Sequence, residues 1–213
     1  MELKVLFILT CVAVAQCNLI SLSCEQIRAF VDGHNSRRLL IAQGKVARQP
    51  AASEMKMMVW DQELADKASQ WAKNYLNQHN PDTSINSKRF TTGENLYTYS
   101  TTNHTYVLQP DSALNAWFSE YVNYIFRPLQ WCDFEKKDHI GHYTQMVWSE
   151  SVHLGCAISQ TFKNEWNNFF VFCNYGPAGN FIGEKPYKES NSPSNKLVCG
   201  IKNQCDHPYG CKC

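Results

Sequence analysis

Gly141-His142-Tyr143-Thr144-Gln145-Met146-Val147-Trp148, with Gly155-Cys156 just after it, is the stretch on which the reading of this chain turns. It packs a histidine, a glutamine and an apolar Met-Val-Trp run together. A second stretch answers it: Cys173-Asn174-Tyr175-Gly176-Pro177-Ala178-Gly179-Asn180-Phe181. Between the two, Leu154 to Ser159 predicts a short strand. Asn168 to Tyr175, with Phe169, Phe170, Val171 and Phe172, predicts a second, strongly apolar one, joined to the first by a polar turn. Cys156 and Cys173 are expected to face each other across this pair and to be bonded.

Upstream, the pattern changes to helical periodicity. Ile27, Phe30, Val31, His34 and Arg38 recur at helical spacing between Cys24 and Gln43, and Gly44 is a natural stop. His34 reads as a packed core histidine. Residues 45–59 read as a loop. A second helix starts at Gln62, with Asp61 as its N-cap and Leu64, Ala68, Trp71, Ala72 and Tyr75 on one face. Extending that face places His79 in the last turn, on the buried side, before Pro81 ends the helix. Residues 98–106, rich in Thr, Tyr and Ser, read as an exposed loop and carry a glycosylation sequon at Asn103-His104-Thr105. Asp111 is expected to cap a third helix, with Leu114, Trp117, Phe118, Tyr121 and Ile125 inward and Glu120 at its edge. Pro128 must end it, and residues 129–141 read as loop.

Composition sets bounds on partners and compartment. The 213 residues are 44% apolar and 13% aromatic, with a formal net charge of +1 and no Lys/Arg run. That argues against nucleic acid or an anionic membrane as partner. Lys4, the apolar run Val5–Ala15 and Ala13-Val14-Ala15 read as a signal peptide over residues 1–17, too short to span a bilayer. The chain is therefore expected to be secreted and extracellular. Of ten cysteines, cleavage after Ala15 leaves nine and cleavage after Cys17 leaves eight, a number that can pair completely. In an oxidising compartment such a set reads as disulfides. Residues 24–188 form the expected domain, and 189–213 a linker and a small Cys-rich tail.

Four chemically active residues stand out: His79, Glu94, Glu120 and His142. Two readings fit them. Imidazoles ligate zinc and copper, with carboxylates completing or orienting the set. Alternatively, each glutamate simply holds an imidazole by a charge-assisted hydrogen bond. The chain has no H-E-x-x-H, no G-x-S-x-G, no phosphate-binding P-loop and no dinucleotide-binding glycine fingerprint.

The two opening stretches resemble the two signature motifs of the CAP superfamily, which includes cysteine-rich secretory proteins, insect venom antigen 5 and plant pathogenesis-related proteins of type 1. His34-Asn35 with Arg38, and Gly93-Glu94-Asn95-Leu96, match further motifs in the right order. The resemblance covers residues 24–188. It implies an α+β fold, a three-layer α-β-α sandwich, and one open cleft lined by His79, Glu94, Glu120 and His142. In some relatives the two histidines bind zinc or another divalent metal ion, which makes His79 and His142 the metal-ligand candidates. The tail holds four cysteines within residues 199–213, so the longer channel-directed domain of cysteine-rich secretory proteins is not matched. No cysteine lies between the second helix and Gly93, where antigen 5 proteins usually have them, and Cys132 stands in the chain instead. The likeness is strongest to invertebrate venom-allergen or salivary antigen 5-like proteins. It implies a non-enzymatic effector that binds host or prey proteins, or apolar ligands such as sterols and lipids. The alternative is a metal-dependent hydrolase using the same cleft.

Overall fold

The computed structural model describes residues 16–135, 137–210 and 213. The expected signal peptide therefore lies outside the described residues, except for the backbone of Gln16 and Cys17. In chain order the elements are β1 (Gln16–Ile20), α1 (Cys24–Ala42), β2 (Ala51–Ala52), β3 (Val59–Trp60), α2 (Gln62–Ala72), β4 (Gly93–Thr101), α3 (Pro110–Ser119), α4 (Gly141–Met146), β5 (His153–Lys163), β6 (Trp166–Gly176) and β7 (Glu189–Ser190).

Strands β5 and β6 are antiparallel partners along their whole length, with Cys156 opposite Cys173 and a disulfide between them. They are longer than their apolar centres suggest. The expected polar turn shrinks to Asn164 and Glu165, with Asn164 at φ 55°, a left-handed conformation that asparagine tolerates. The main sheet runs β1-β5-β6-β4, and β3 adds a short parallel contact to β5. β2 and β7 pair separately.

Alternation along β6 sends its side chains to both faces. Phe169, Val171, Cys173 and Tyr175 join the core formed with α1, α3 and α4. Phe172 packs with Ala68 and Ala72 of α2 on the other side, and Phe170 lies against them. The fold is thus the three-layer α-β-α sandwich that the resemblance implied. Helix α2 lies so close to the sheet that a Cβ on Gly155 would sit 2.1 Å from the Ala65 nitrogen. Only glycine permits that approach.

Three local expectations are corrected. Helix α2 ends at Ala72, well short of His79. The Asn74 and Tyr75 amides turn back onto the carbonyls of Trp71 and Ala72, Tyr75 takes φ 53°, and the Trp71 indole donates to the Gln78 carbonyl. Residues 93–101, whose Thr-, Tyr- and Ser-rich second half reads as loop, form a strand paired with β6 from Gly93↔Tyr175 to Thr101↔Asn167. Thr and Tyr are strand formers, and that preference prevails at a sheet edge. Helix α3 has Gln109 at its N-cap and Pro110 at N1, not Asp111 as cap, and it ends at Ser119. Ile125 consequently leaves the expected apolar face and is 77% exposed.

The segment after Pro186 runs against the domain. Tyr187 is buried and donates to the Pro50 carbonyl, Ser194 donates to the Ala42 carbonyl, and Val198 to the Met55 carbonyl. Cys199 bonds Cys205, and Cys213 bonds Cys24 at the start of α1. Cys132 is a free, exposed cysteine among the described residues. No helix among the described residues is long and apolar enough to cross a membrane.

Arg38 is fully buried on α1. Its guanidinium donates to the carbonyls of Lys56 (2.7 Å), Met146 (3.1 Å), Trp148 (2.8 Å) and Ser149 (3.0 Å). Burial pushes its pKa down to about 9. An Arg38→Met substitution leaves these carbonyls without their donor. We expect a loss of about 3 kcal/mol or more, read as a lower urea midpoint with the disulfides intact.

Candidate functional site: two histidine–glutamate pairs

Glu94 is the second residue of β4, so its side chain is placed by the strand's pairing with Asn174. Its Oε1 accepts from His79 Nδ1 (2.9 Å) and from the Asn80 amide (3.0 Å). The glutamate side chain is 9% exposed, and that of the histidine 59%. Glu94 Oε2 is buried and has no hydrogen-bond partner among the described residues. His79 thus reaches Glu94 from the loop after α2, not from a buried helix end.

The second pair forms where α3 meets α4. Glu120 follows the last residue of α3 and opens a short 3-10 turn. Its Oε2 accepts the amides of His142 (3.0 Å) and Tyr143 (3.1 Å), and its Oε1 accepts from His142 Nδ1 (2.6 Å). One carboxylate therefore satisfies the unpaired N–H groups at the start of α4 and orients the imidazole on its first turn. Trp117 stacks on the His142 ring, with centroids 6.2 Å apart.

Asn95 joins the two pairs. Its Nδ2 donates to the His142 carbonyl (3.0 Å) and to the Tyr175 hydroxyl (3.0 Å). That hydroxyl donates to His34 Nε2 (2.9 Å), and His34 Nδ1 donates to the Phe30 carbonyl (2.8 Å). His34 is fully buried, and burial lowers its pKa to about 3. Tyr175 is pushed well above the ordinary phenol value by burial.

Gln145 and Asn180 hold the segment after β6 against α4. Gln145 Oε1 accepts the Gly179 amide (2.9 Å), and its Nε2 donates to Ser151 Oγ (3.0 Å). Asn180 donates to the Gly141 carbonyl (2.9 Å) and accepts from Thr144 Oγ1 (2.7 Å). A Cβ on Gly93 would sit 2.1 Å from Gln145 Oε1, so a side chain there would displace the Gln145 amide from its place. His79, Gly93, Glu94, Gln145 and Asn180 line a cavity of about 270 Å³, and His142 and Glu120 are not among its walls.

The four sequence candidates therefore come together as two pairs. Among the described residues, no group of three or more His, Cys, Asp and Glu is set to hold a metal. The donor chemistry still fits an open cation site. Each imidazole gives its Nδ1 to a glutamate, the arrangement usual behind metal-ligating histidines, and Nε2 has no hydrogen bond among the described residues. The unpartnered Oε2 of Glu94 adds a buried negative oxygen beside His79. Asn95, Gln145, Tyr175 and Asn180 are positioning residues that the candidate list missed. All four lie inside the motif stretches, and that was the available signal.

The model of the CAP, cysteine-rich secretory protein family matches residues 31–175. The chain is 34% identical over 169 residues to venom allergen 5 of Rhynchium brunneum, covering 77% of this chain and 73% of that one. It is 34% identical over 170 residues to venom allergen 3 of Solenopsis invicta, covering 75% and 70%. Among solved structures, that of NaASP2 with Zn2+ superposes with a TM-score of 0.66 at 32% identity, covering 79% of this chain and 87% of that one. This chain belongs to the CAP, or cysteine-rich secretory protein, family.

His34 gives the site's support a defined acid response. Its pKa is about 3 in the fold against an ordinary 6.5, so the folded state favours the neutral ring. The associated stability is present above pH 6.5 and is lost as the pH falls toward 3. Urea unfolding at a series of pH values should show this decline, and a His34→Gln variant should show a shallower one from a lower starting stability.

Proposed function

We propose that this protein is a secreted binding protein that takes a divalent cation, zinc first, on the imidazoles of His79 and His142. The observation that carries the reading is the state of those rings. Both have Nδ1 tied to a glutamate, at 2.9 Å and 2.6 Å, and both keep Nε2 for a ligand. Glu94 and Glu120 hold the ring orientations. A bound zinc ion would supply a Lewis-acidic centre with coordination positions open to a group from a partner. The likeness to NaASP2, solved with Zn2+, supports the choice of metal.

Secretion is supported by the signal-peptide pattern at residues 1–17, by the disulfides, and by membership of a family described as secretory. The partner classes that suit this reading are host or prey proteins, or apolar ligands such as sterols and lipids. Binding without turnover is the function assigned here.

The reading is tested by calorimetric titration of metal-stripped protein with zinc. One binding event is expected, lost in the His79→Ala, His142→Ala double variant. A Glu94→Gln variant should weaken it by about 10- to 100-fold, as removing the group behind a metal ligand usually does. An intact protein that takes up no zinc, or a double variant that binds as well as the parent, would sink the proposal.

A further inference from the structure

Asn103 lies just beyond β4, at the far end of that strand from the histidine–glutamate pairs. From Glu94 to Thr101 the strand advances about 23 Å. The side chain is exposed and sits in a fixed local turn. Its Oδ1 accepts from the Thr105 amide (3.0 Å) and from Thr105 Oγ1 (2.8 Å). The Asn103 carbonyl accepts from Asn167 Nδ2 (3.3 Å), and His104 Nε2 meets the Glu165 carbonyl (3.1 Å). The loop is thus tied to the tip of the β5–β6 hairpin, where Trp166 is exposed.

This geometry does two things. The Thr105 hydroxyl and amide draw electron density toward Oδ1, which polarises the Asn103 amide. Nδ2, the other end of that amide, makes no hydrogen bond among the described residues, and the residue is exposed. In the sequence, Asn103-His104-Thr105 is the single Asn-x-Ser/Thr triplet without an intervening proline. Many such triplets fall on buried or paired backbone; this one falls on an exposed, ordered turn.

We infer that Asn103 carries an N-linked glycan that stands at the hairpin end of the sheet and leaves the His79 and His142 face uncovered. The donor is a polyprenyl-diphosphate-linked oligosaccharide. The bond formed joins Asn103 Nδ2 to C1 of the first sugar, the bond broken joins that C1 to the diphosphate, and Nδ2 gives up one proton. The exposed indole of Trp166 is an apolar surface against which the first sugar can lie. The inference rests on the proposal that the chain is secreted, because the donor and the transferase face the secretory lumen.

The test is expression in a eukaryotic cell that secretes and glycosylates, with intact mass measured on protein from the medium before and after peptide N-glycosidase. The expected result is one glycan, removed by the enzyme with conversion of Asn103 to aspartate. Asn103→Gln and Thr105→Ala should each lack it, whereas Thr105→Ser should keep it. Protein recovered from the medium at bare polypeptide mass would overturn the glycan and leave secretion standing. Protein retained in the cells without a glycan would overturn both. A glycan persisting in both the Asn103→Gln and Thr105→Ala variants would refute the assignment to this site.

Discussion

A buried guanidinium held by backbone carbonyls is the constraint on which the rest of this structure depends. Arg38 sits in the core between α1 and the end of α4, and its donors are taken by backbone carbonyls alone. Placing a charge there is costly unless every donor is met. Met146, Trp148 and Ser149 supply oxygens at the negative end of a helix of six residues. So short a helix has little stability of its own. It persists because a cation holds its last carbonyl and two just past it, and the carboxylate of Glu120 holds two amides of its first turn. His142 rides on that clamped turn, so its place is set by charges at both ends of the helix and by the stacked ring of Trp117.

A chain of neutral hydrogen bonds does the matching work on the sheet side. Asn95 spans the His142 carbonyl and the Tyr175 hydroxyl, and Tyr175 hands on to His34 in α1. Each member is buried, and each bond fixes the next: the Nδ1–H tautomer of His34 forces its Nε2 to accept, which orients the Tyr175 hydroxyl. Such a network ties the sheet and the α1–α4 layer into one geometry because no member can move without leaving a buried polar atom unmet. The His142 imidazole is thereby mounted on a rigid base, while His79 stands on a loop and is mostly exposed.

How much of this was legible beforehand depends on the range of the forces involved. The first helix, its Gly44 stop and the start of α2 at Asp61 are local matters of spacing and capping, and they read correctly. His79 did not, because periodicity carries no information on where a helix stops, and Tyr75 in a left-handed conformation stops this one early. β4 was half missed because an edge strand half open to solvent shows no apolar run; only the match with β6 reveals it. The packed role of His34 followed from its helix face, whereas Arg38, on the same face, gave no sign that it would be the buried charge. Glu94 and Glu120 stand out beside the two histidines in the sequence, the family resemblance puts the four in one cleft, and the structure adds which histidine each one holds. The roles of Asn95 and Gln145 could not be read, because their partners lie across the sheet and no spacing along the chain records them.

The bond between Cys24 and Cys213 joins positions 189 residues apart, so the folded body is a covalent ring. The chain from Cys24 to Cys213 is closed on itself, and β1, which precedes it, is tied to that ring by its pairing with β5. A protease that cuts one exposed loop, such as the segment between α2 and β4, opens the circle without separating it into pieces. The clipped molecule remains one object until a second cut or a reductant arrives. Tension applied at the ends of that ring passes through sulfur and not through the strands. Endurance of this kind comes from connectivity, apart from the packing of the core.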